Sequence, residues 1–206
     1  METPKNARTE LLRQIKEEVV HLLDSPLVLE RKKNRVFPVI GEGNHNAGIM
    51  FIGEAPGKNE AATGRPFCGA AGKVLDDLLQ SAGIERKDVY ITNIVKDRPP
   101  LNRDPSPDEI ALYAPFLERQ INIIQPSVIV TLGRFSMRYI MEKFGLSEYQ
   151  EGISRIHGKV FPAKAEYGNI TIVPLLHPAV ATYNADTKSL LTKDIQVLAS
   201  LSLPKK

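Results

Sequence analysis

The chain has 206 residues, of which 42% are hydrophobic and 25% are charged, a balance typical of proteins that bury a hydrophobic core. The formal net charge is only +3, which excludes a strongly basic protein that coats nucleic acid, so any binding to a polyanion has to use local groups of cations. The single cysteine, Cys68, excludes an intrachain disulfide and any metal or cluster site built only from cysteines of one chain.

No apolar run approaches the roughly 18 residues that a membrane helix needs, and the N-terminal stretch METPKNARTE lacks the apolar core of a signal peptide. We therefore expect a soluble, cytoplasmic protein. The length and the absence of repeats or low-complexity segments predict a single domain over residues 1–206, with an N-terminal helix at 6–24 packed on it.

The N-terminal helix is predicted from apolar residues at helical spacing in TELLRQIKEEVVHLL. The next segment, DSPLVLERKKNRVFPVIGEGNHNAG, is predicted to be irregular chain that ends in a turn. IMFIGE then has the pattern of a short, fully buried strand, and GAAGKVLDDLLQSAG that of a helix which ends at Gly83.

The second half of the chain continues the alternation of strands and helices. DVYITNIV and PSVIVTLG are predicted strands, and the helix between them starts with Ser106 as N-cap, Pro107 at the first position and Glu109 three residues after the cap. RFSMRYIMEKFG is a helix that ends at Gly145. GKVFPAKAEYGNITIVPLLHP predicts a hairpin whose second arm joins the sheet, and a last helix covers about residues 186–201.

Buried strands that alternate with helices predict an α/β fold, a three-layer α/β/α sandwich around a mainly parallel sheet of four strands. In such folds ligands bind beyond the carboxyl ends of the strands. Polar residues follow three of the predicted strands at that point: Glu54, Asn93 and His177. We therefore expect these three side chains to meet at one edge of the sheet.

The glycine-rich segment Gly53–Lys73 after the first strand suggests a phosphate-binding loop, because backbone amides at a helix start bind anions. However, GEAPG does not match G-x-G-x-x-G, and the sequence contains no G-x-x-x-x-G-K-[ST]. Turn glycines with solvated carboxylates are the simpler alternative. Glu54 and Glu60 also suggest a metal site, but no histidine or further acid lies at ligand spacing, so we predict no metal.

Four segments together resemble the family 4 uracil-DNA glycosylases: GEAPGKNEAATGRPFCGAAGKVLDDLL, VYITNIVKDRPPLNRDPSPDE, PSVIVTLG and LLHPA. The resemblance runs in the same order from about Gly41 to His177 and is weaker at both ends. It implies a monofunctional glycosylase that removes uracil from single- or double-stranded DNA, acts as a monomer in base excision repair and, in a prokaryote, is associated with the nucleoid.

The chain departs from this family at the cysteines that usually hold an iron–sulfur cluster. Alignment with the family places Leu22, Ser25, Asp97 and Tyr113 at the four ligand positions. The sequence therefore predicts no cluster and no other cofactor. We expect ordinary packing to hold this region, with Tyr113 against the segment from Leu22 to Leu29.

The resemblance assigns roles to residues of the three strand ends. Glu54 is the first choice for orienting or activating the water and for facing the sugar cation; because family 4 also lacks the aspartate of the best-known branch, a distant group is the alternative. His177 is expected to donate a hydrogen bond to uracil O2 as charge builds there. Phe67 stacks on the uracil ring, while the Asn93 amide offers an acceptor and a donor that match uracil N3–H and O4. Core packing for Phe67, a turn for Asn93 and a structural role for His177 are the alternatives.

Further residues of the first motif are expected to line the uracil pocket: Gly53, Ala55 and Glu60. Glu60 is placed near uracil C5, and Ala55 stands where the best-known branch of the superfamily has an aspartate. The candidates for phosphate contacts are Lys73, Arg98, Arg103, Arg155 and Lys159, with ordinary surface charge as the alternative for each.

Some choices stay open at this point. Val180 or Tyr183 would fill the gap that the flipped base leaves, whereas His157 is not expected to act as a nucleophile. The alternative functions are a glycosylase for another deaminated base such as hypoxanthine, a non-catalytic module that binds uracil or abasic DNA, and a nucleotide-binding regulator.

Overall fold

The computed structural model describes residues 5–23, 25–149 and 151–201. Its helices are α1 Lys5–His21, α2 Pro26–Asn34, α3 Lys58–Thr63, α4 Ala70–Ser81, α5 Pro107–Ile124, α6 Arg134–Lys143, α7 Ile153–Ile156, α8 Ala185–Ile195 and α9 Val197–Ser200. Its strands are β1 Glu42–Gly43, β2 Ile49–Gly53, β3 Tyr90–Asn93, β4 Val128–Leu132, β5 Phe161–Ala165 and β6 Gly168–Leu175. No helix within these ranges has both the length and the apolar character that crossing a membrane requires.

The strands form one sheet in the order β1-β3-β2-β4-β6-β5. The four inner strands are parallel and are the four predicted strands, with β6 as the second arm of the predicted hairpin. The prediction of a four-stranded sheet is wrong, because β1 and β5 add an antiparallel strand at each edge. Two residues of β1 are too few for a periodic pattern, and the prediction counted only the second arm of the hairpin as a strand of the sheet, although the first arm, β5, pairs with it.

Helices cover both faces of the sheet. Side chains alternate along β2, so that Met50 and Ile52 belong to the core beneath α1, α5 and α6, whereas Ile49 and Phe51 belong to the core beneath α4 and α8. Because both faces are covered, all five residues of β2 are buried and the strand is a continuous apolar run. The predicted three-layer α/β/α architecture is confirmed.

The predicted irregular segment after α1 contains the helix α2. Ser25 caps it by accepting a hydrogen bond from the Leu27 N–H, Pro26 stands in its first turn, and Arg35 ends it with a left-handed backbone at φ 53°. Its weak apolar pattern hid it, since Leu27, Val28 and Arg31 are the buried residues of the helix. The prediction that this segment is irregular is therefore wrong.

Other helix bounds also differ from the prediction. The N-terminal helix ends at His21, and residue 24 of the predicted range lies outside the described residues. The short α3 lies inside the glycine-rich segment, and the last predicted helix is divided into α8 and α9 at Gln196. Helix α5 starts as predicted, with a capping box between Ser106 and Glu109.

The strand order brings several strand ends to one place. From β2 the chain passes to β3 on one side and later returns to β4 on the other side of β2. The carboxyl ends of β2, β3, β4 and β6 consequently share one edge of the sheet, where the connecting segments part and leave a crevice.

Candidate functional site

A cleft of about 360 Å³ lies at this edge of the sheet. Six of the seven residues predicted for catalysis and the uracil pocket line it: Glu54, Ala55, Glu60, Phe67, Asn93 and His177. The seventh, Gly53, was expected to line the pocket but lies against Asn93 and Phe67 without lining the cleft. The six lining residues come from the segment after β2, from the last residue of β3 and from the segment after β6. The structure brings these three places together, as predicted from the rule that the carboxyl ends of parallel strands share one edge of the sheet (the strand-end rule). The cleft lies within the size range of pockets for small organic molecules.

Asn93 ends β3 and is 2% exposed. Its Oδ1 atom is buried and accepts no hydrogen bond from any described residue. An acceptor in this state costs free energy unless a ligand satisfies it. Gly53, the neighbour of Asn93 across the strands, leaves room for this amide, because a Cβ at position 53 would lie 2.3 Å from Oδ1.

Phe67 is buried at the side of the cleft with its ring centroid 5.7 Å from that of His177. Its backbone is left-handed at φ 46°, a conformation that ordinary residues rarely adopt. Helix α4 packs directly on it, since a Cβ at Gly72 would lie 1.8 Å from the Phe67 carbonyl oxygen. This close packing holds the Phe67 backbone against α4, and Phe67 lines the cleft.

His177 follows β6 and Leu176, and its Nδ1 accepts a hydrogen bond of 3.2 Å from the Ala179 backbone N–H. This bond places the ring proton of the neutral imidazole on Nε2. Burial lowers the pKa of His177 to about 4, although the Glu60 carboxylate opposes the shift. His177 is therefore neutral near pH 7 and has Nε2–H as its donor.

Glu54 follows β2 and is partly buried. Burial, and after it the Asp104 carboxylate, raise the pKa of its carboxyl group to about 7, while Arg134 acts in the opposite direction. Among the described residues its carboxylate has no hydrogen-bond partner. A partly buried carboxyl that titrates near neutral pH suits the exchange of a proton with water.

Glu60 holds the loop before α4. Its Oε1 atom accepts hydrogen bonds from the backbone N–H groups of Cys68 and Gly69, at 3.0 and 2.9 Å. Two accepted bonds at the N-terminus of α4 fix the carboxylate on the protein side of the cleft. The structure thus gives Glu60 a structural partner that the sequence did not suggest.

One of the predicted DNA-binding cations, Arg103, lines the cleft, and two others, Arg98 and Lys73, lie close in the chain to the lining residues Pro99 and Ala71. Lys73 is exposed in α4 and has no ion-pair partner in the described part of the chain. Arg98 donates from Nε to Asn102 Oδ1 at 2.7 Å. Arg103 lines the cleft, but its guanidinium donates two bonds to the Glu109 carboxylate, so its charge is already paired.

The other two predicted cations, Arg155 and Lys159, are exposed in or after α7. They do not line the cleft. The Gly158 N–H donates to the Pro174 carbonyl oxygen, so this segment lies near the carboxyl end of β6 and at the same edge of the sheet. Arg155 pairs at 3.6 Å with Glu151.

The positions that the resemblance assigns to cluster cysteines hold a buried polar network instead. Tyr113 donates from its hydroxyl to Asp97 at 2.6 Å and contacts Ser25 Oγ at 3.2 Å, and Arg31 forms an ion pair of 3.0 Å with Asp97. Leu22 lies outside it and packs on the core. Since the network offers no thiolate and its groups satisfy one another, these residues do not fit an iron–sulfur cluster.

Ordinary packing was expected to hold this region, with Tyr113 against the segment from Leu22 to Leu29. Tyr113 does meet this segment, since Leu27 and Tyr113 belong to the same buried core cluster and the Tyr113 hydroxyl contacts Ser25 Oγ. The expectation did not include the ion pair between Arg31 and Asp97, which adds a polar network to this packing. In the described part of the chain no three histidine, cysteine or acidic side chains lie together as a metal site requires.

The sequence analysis did not identify the charged groups that act on Glu54. Arg134 is the first residue of α6, one residue after the end of β4, and pairs at 2.5 Å with Asp104. The strand-end rule that selected Glu54 applies equally to Gly133 and Arg134, so this signal was present. No sequence pattern indicates Asp104, because its place depends on the path of the irregular segment 94–106.

A protein-family model and several curated proteins are similar to this chain. The model of the uracil DNA glycosylase superfamily matches residues 40–199. The chain is 45% identical to the type-4 uracil-DNA glycosylase of Sulfurisphaera tokodaii, over 95% of this chain and 86% of that protein. The type-4 enzymes of Saccharolobus solfataricus (46% identity, 80% and 76% covered) and Archaeoglobus fulgidus (42%, 84% and 85%) are also similar.

Proposed function

The chain belongs to the uracil-DNA glycosylase superfamily, and we propose that it hydrolyses the N-glycosidic bond of uracil in single- and double-stranded DNA, leaving an abasic site. The observation that carries the proposal is the meeting of Phe67, Asn93 and His177 in one cleft. Excision of a flipped pyrimidine requires an aromatic ring that stacks on the base, an amide that hydrogen-bonds its edge and a neutral hydrogen-bond donor. Phe67, Asn93 and His177 would supply these groups in this order.

Recognition of uracil rests on Asn93. Its Oδ1 accepts from uracil N3–H and its amide nitrogen donates to O4, which satisfies the buried acceptor. Cytosine presents an acceptor at N3 and a donor at C4, so both contacts would oppose like groups. A site built around hydrogen bonds rejects such a base strongly, because its own polar groups would stay unpaired.

Leaving-group stabilisation rests on His177. As the bond between C1′ and uracil N1 breaks, its electron pair passes to the uracil ring and negative charge develops on O2. The Nε2–H of a neutral His177 donates to this oxygen. A donor fixed before the reaction and aimed at developing charge is the kind of interaction that contributes most to catalysis.

Glu54 acts on the sugar side. Its ionised carboxylate faces the cationic deoxyribose and accepts a hydrogen bond from the attacking water, whose oxygen bonds to C1′ while its proton passes to the carboxylate. The raised pKa of Glu54 makes it a better base than an exposed glutamate. Gly53 and Ala55 leave space beside it, and Glu60 holds the Phe67 loop and lies near uracil C5.

All groups in this scheme are side chains of one chain and water, which supports action as a monomer without a cofactor. Phosphate contacts are proposed for Lys73, Arg98, Arg103, Arg155 and Lys159, since they lie near the same sheet edge.

The test is incubation with a uracil-containing oligonucleotide, followed by alkaline cleavage of abasic sites. The variants Asn93→Ala and His177→Ala should each lower the single-turnover rate at least about tenfold, because each removes a transition-state contact. Asn169→Ala and His21→Ala are matched controls at exposed positions outside the cleft. An inert wild-type protein contradicts the function, and variants as fast as wild type contradict the site.

Ala55 favours one alternative, a module that binds uracil or abasic DNA without cutting it, because this position in the cleft carries no acid. Such a module would retain the oligonucleotide in a binding assay and release no base. Parallel substrates with hypoxanthine, xanthine and mismatched thymine test whether another base is preferred.

A further inference from the structure

Lys96 is a lysine in the interior of the protein, and the scheme proposed for the cleft does not use it. Its side chain is 0% exposed, and it follows Asn93, the last residue of β3, in the turn after that strand. Burial lowers the pKa of its amino group well below the usual range, and no carboxylate of the described residues forms an ion pair with it. A buried amino group without a counter-ion costs free energy, so its other contacts have to offset this cost.

Three oxygen atoms surround the Lys96 amino group. Nζ donates hydrogen bonds to the Asn93 carbonyl oxygen and to Gln120 Oε1, both at 2.6 Å, and to Thr92 Oγ1 at 2.9 Å. Thr92 and Gln120 each donate in turn to the Ile40 carbonyl oxygen, at 2.7 and 2.9 Å. Because these two partners are themselves bonded to the backbone, the network fixes the position of Nζ, and Nζ holds the carbonyl group of Asn93.

Asn93 depends on such support because it ends its strand. The chain leaves β3 after this residue, and Lys96 is held in place by its own carbonyl oxygen, which accepts a hydrogen bond of 2.8 Å from the Val39 N–H. The Oδ1 atom of Asn93 accepts no hydrogen bond from any described residue. The direction of the Asn93 amide is therefore set by the position of its backbone and by the close approach of Gly53.

We propose that Lys96 is a positioning residue for base recognition, because its amino group holds the carbonyl of Asn93 and so keeps the Asn93 amide where it meets the uracil edge. The inference rests on the proposed function and deepens it by adding a residue that acts on the base without touching it. A group that is held in place before binding loses less free energy when its ligand arrives. Lys96 therefore affects the affinity for uracil and the rate of excision, but not the contacts with DNA phosphates.

The test makes the same measurements on wild type and on Lys96→Met, a variant that keeps the apolar part of the side chain and removes its donor. The single-turnover rate of uracil excision should fall about tenfold, since a small displacement of a binding group is enough for such a loss. The affinity for free uracil, measured by equilibrium dialysis with the radiolabelled base, should fall by a similar factor. The Kd for a duplex with an abasic site should change less than about twofold, because that duplex is held by its backbone and offers no base to Asn93.

Arg8→Met is the matched control. Arg8 is another buried cation, 3% exposed, and its guanidinium donates to oxygens of Asn46, Ile124 and Gln125. These contacts lie where α5 ends and before β4 begins, and so away from the carboxyl edge of the sheet. Arg8→Met should lower the melting temperature but leave the rate and both affinities within about twofold of wild type, because its site is independent of Asn93.

A double-mutant cycle separates positioning of Asn93 from support of the fold. In an Asn93→Ala background, Lys96→Met should slow excision by less than about twofold more, because the residue through which Lys96 acts is already truncated. A lysine that only stabilised the fold would cost the same factor in both backgrounds.

An unchanged excision rate, an equal loss of affinity for the abasic duplex or the same cost in both backgrounds would overturn the inference. If Lys96→Met does not fold at the assay temperature, Lys96→Gln, which is shorter but polar at its end, takes its place in the same measurements. If neither variant folds, Lys96 serves the fold alone and the inference is wrong. If wild type excises no uracil, the proposed function fails, while dialysis with free uracil still tests whether Lys96 supports binding of the base.

Discussion

At the scale of single residues, Glu54 should set the pH dependence of the reaction. The proposed role requires its ionised form, and its pKa is raised to about 7. kcat/KM should therefore rise about tenfold per pH unit below pH 7 and level off above it, as expected for an essential base. His177, with a pKa lowered to about 4, stays neutral over this range.

The variant Glu54→Gln should remove this rise and be slow at every pH. Arg134→Met should shift the rise to higher pH, because Arg134 favours the ionised form of Glu54. The measurement is single-turnover excision between pH 5 and 9 with oligonucleotide in limiting amount. A rate that falls as the pH rises through 7 would show that Glu54 acts as an acid.

Gly53 should be irreplaceable even by alanine. The added methyl group would lie 2.3 Å from Asn93 Oδ1 and 2.8 Å from Phe67, so it would displace the edge reader, the stacking ring or both. Gly53→Ala should lower kcat/KM by about 100-fold, the size expected when reacting groups move by about an ångström. Gly152→Ala is the matched control, because nothing lies closer than 3.7 Å to its added methyl group.

Excision assays and a thermal melt on both glycine variants separate a damaged site from a damaged fold. A Gly53→Ala protein that melts like Gly152→Ala and is nonetheless fully active would show that the close packing of Gly53 against Asn93 and Phe67 does not matter for the site.

One simple reason explains why sequence analysis could place these residues in the cleft. Glu54, Asn93 and His177 each follow a buried apolar run, and parallel strands bring such ends to one edge. This rule predicts at which edge of the sheet a side chain lies, but not which hydrogen bonds it forms or which charges lie near it. Neither the bonds that hold Glu60 on Gly69 nor the effect of Asp104 on Glu54 has a local sequence signal, since both depend on how loops pack.

At the scale of secondary-structure elements, the buried network joins α2, α5 and the segment after β3. Arg31 pairs with Asp97 and donates to the Val20 carbonyl at the end of α1. Replacing Arg31 with Met leaves a carboxylate in the interior without its cation. We expect the free energy of unfolding to fall by about 3–5 kcal/mol, as for other broken buried pairs.

Urea denaturation measures this loss, and Arg119→Met is the control. Arg119 pairs with Glu18 at the surface, where the loss should stay below about 1 kcal/mol. A double variant Arg31→Met/Asp97→Leu should recover part of the stability because neither charge is then left alone. Similar losses in Arg31→Met and Arg119→Met would show that the network does not hold these elements together.

The elements that the sequence predicted correctly have strong local signals. Ser106, Pro107 and Glu109 identify the start of α5, and the apolar run of β2 is explained by its two covered faces. The elements that were missed are short or have few buried residues. Strand β1 has 2 residues and α3 has 6, so neither repeats its pattern often enough to be recognised in the sequence, and their form depends on the packing around them.

At the scale of the whole molecule, the small net charge makes the position of each cation important. A formal charge of +3 gives little general attraction to DNA, so affinity has to come from cations on the side of the cleft. Lys73 in α4 and Lys159 after α7 are exposed near the carboxyl edge of the sheet. In the chain, Lys73 precedes the cleft-lining residue Asn93 and Lys159 follows it. Lys164, paired in register with Asn169, lies towards the opposite end of β6.

This arrangement predicts how binding depends on salt. Each phosphate contact releases about 0.9 counterion from duplex DNA, so Lys73→Gln and Lys159→Gln should each reduce the slope of log Kd against log salt by about 0.9. Lys164→Gln, at the far end of the sheet, should leave the slope unchanged. Fluorescence anisotropy with an abasic duplex, measured from low to moderate salt, gives the slopes. If all three variants had the same slope of log Kd against log salt, the DNA would bind on another face. If the slope fell only for the variants at positions 73 and 159, the duplex would lie along the edge of the sheet that holds the cleft.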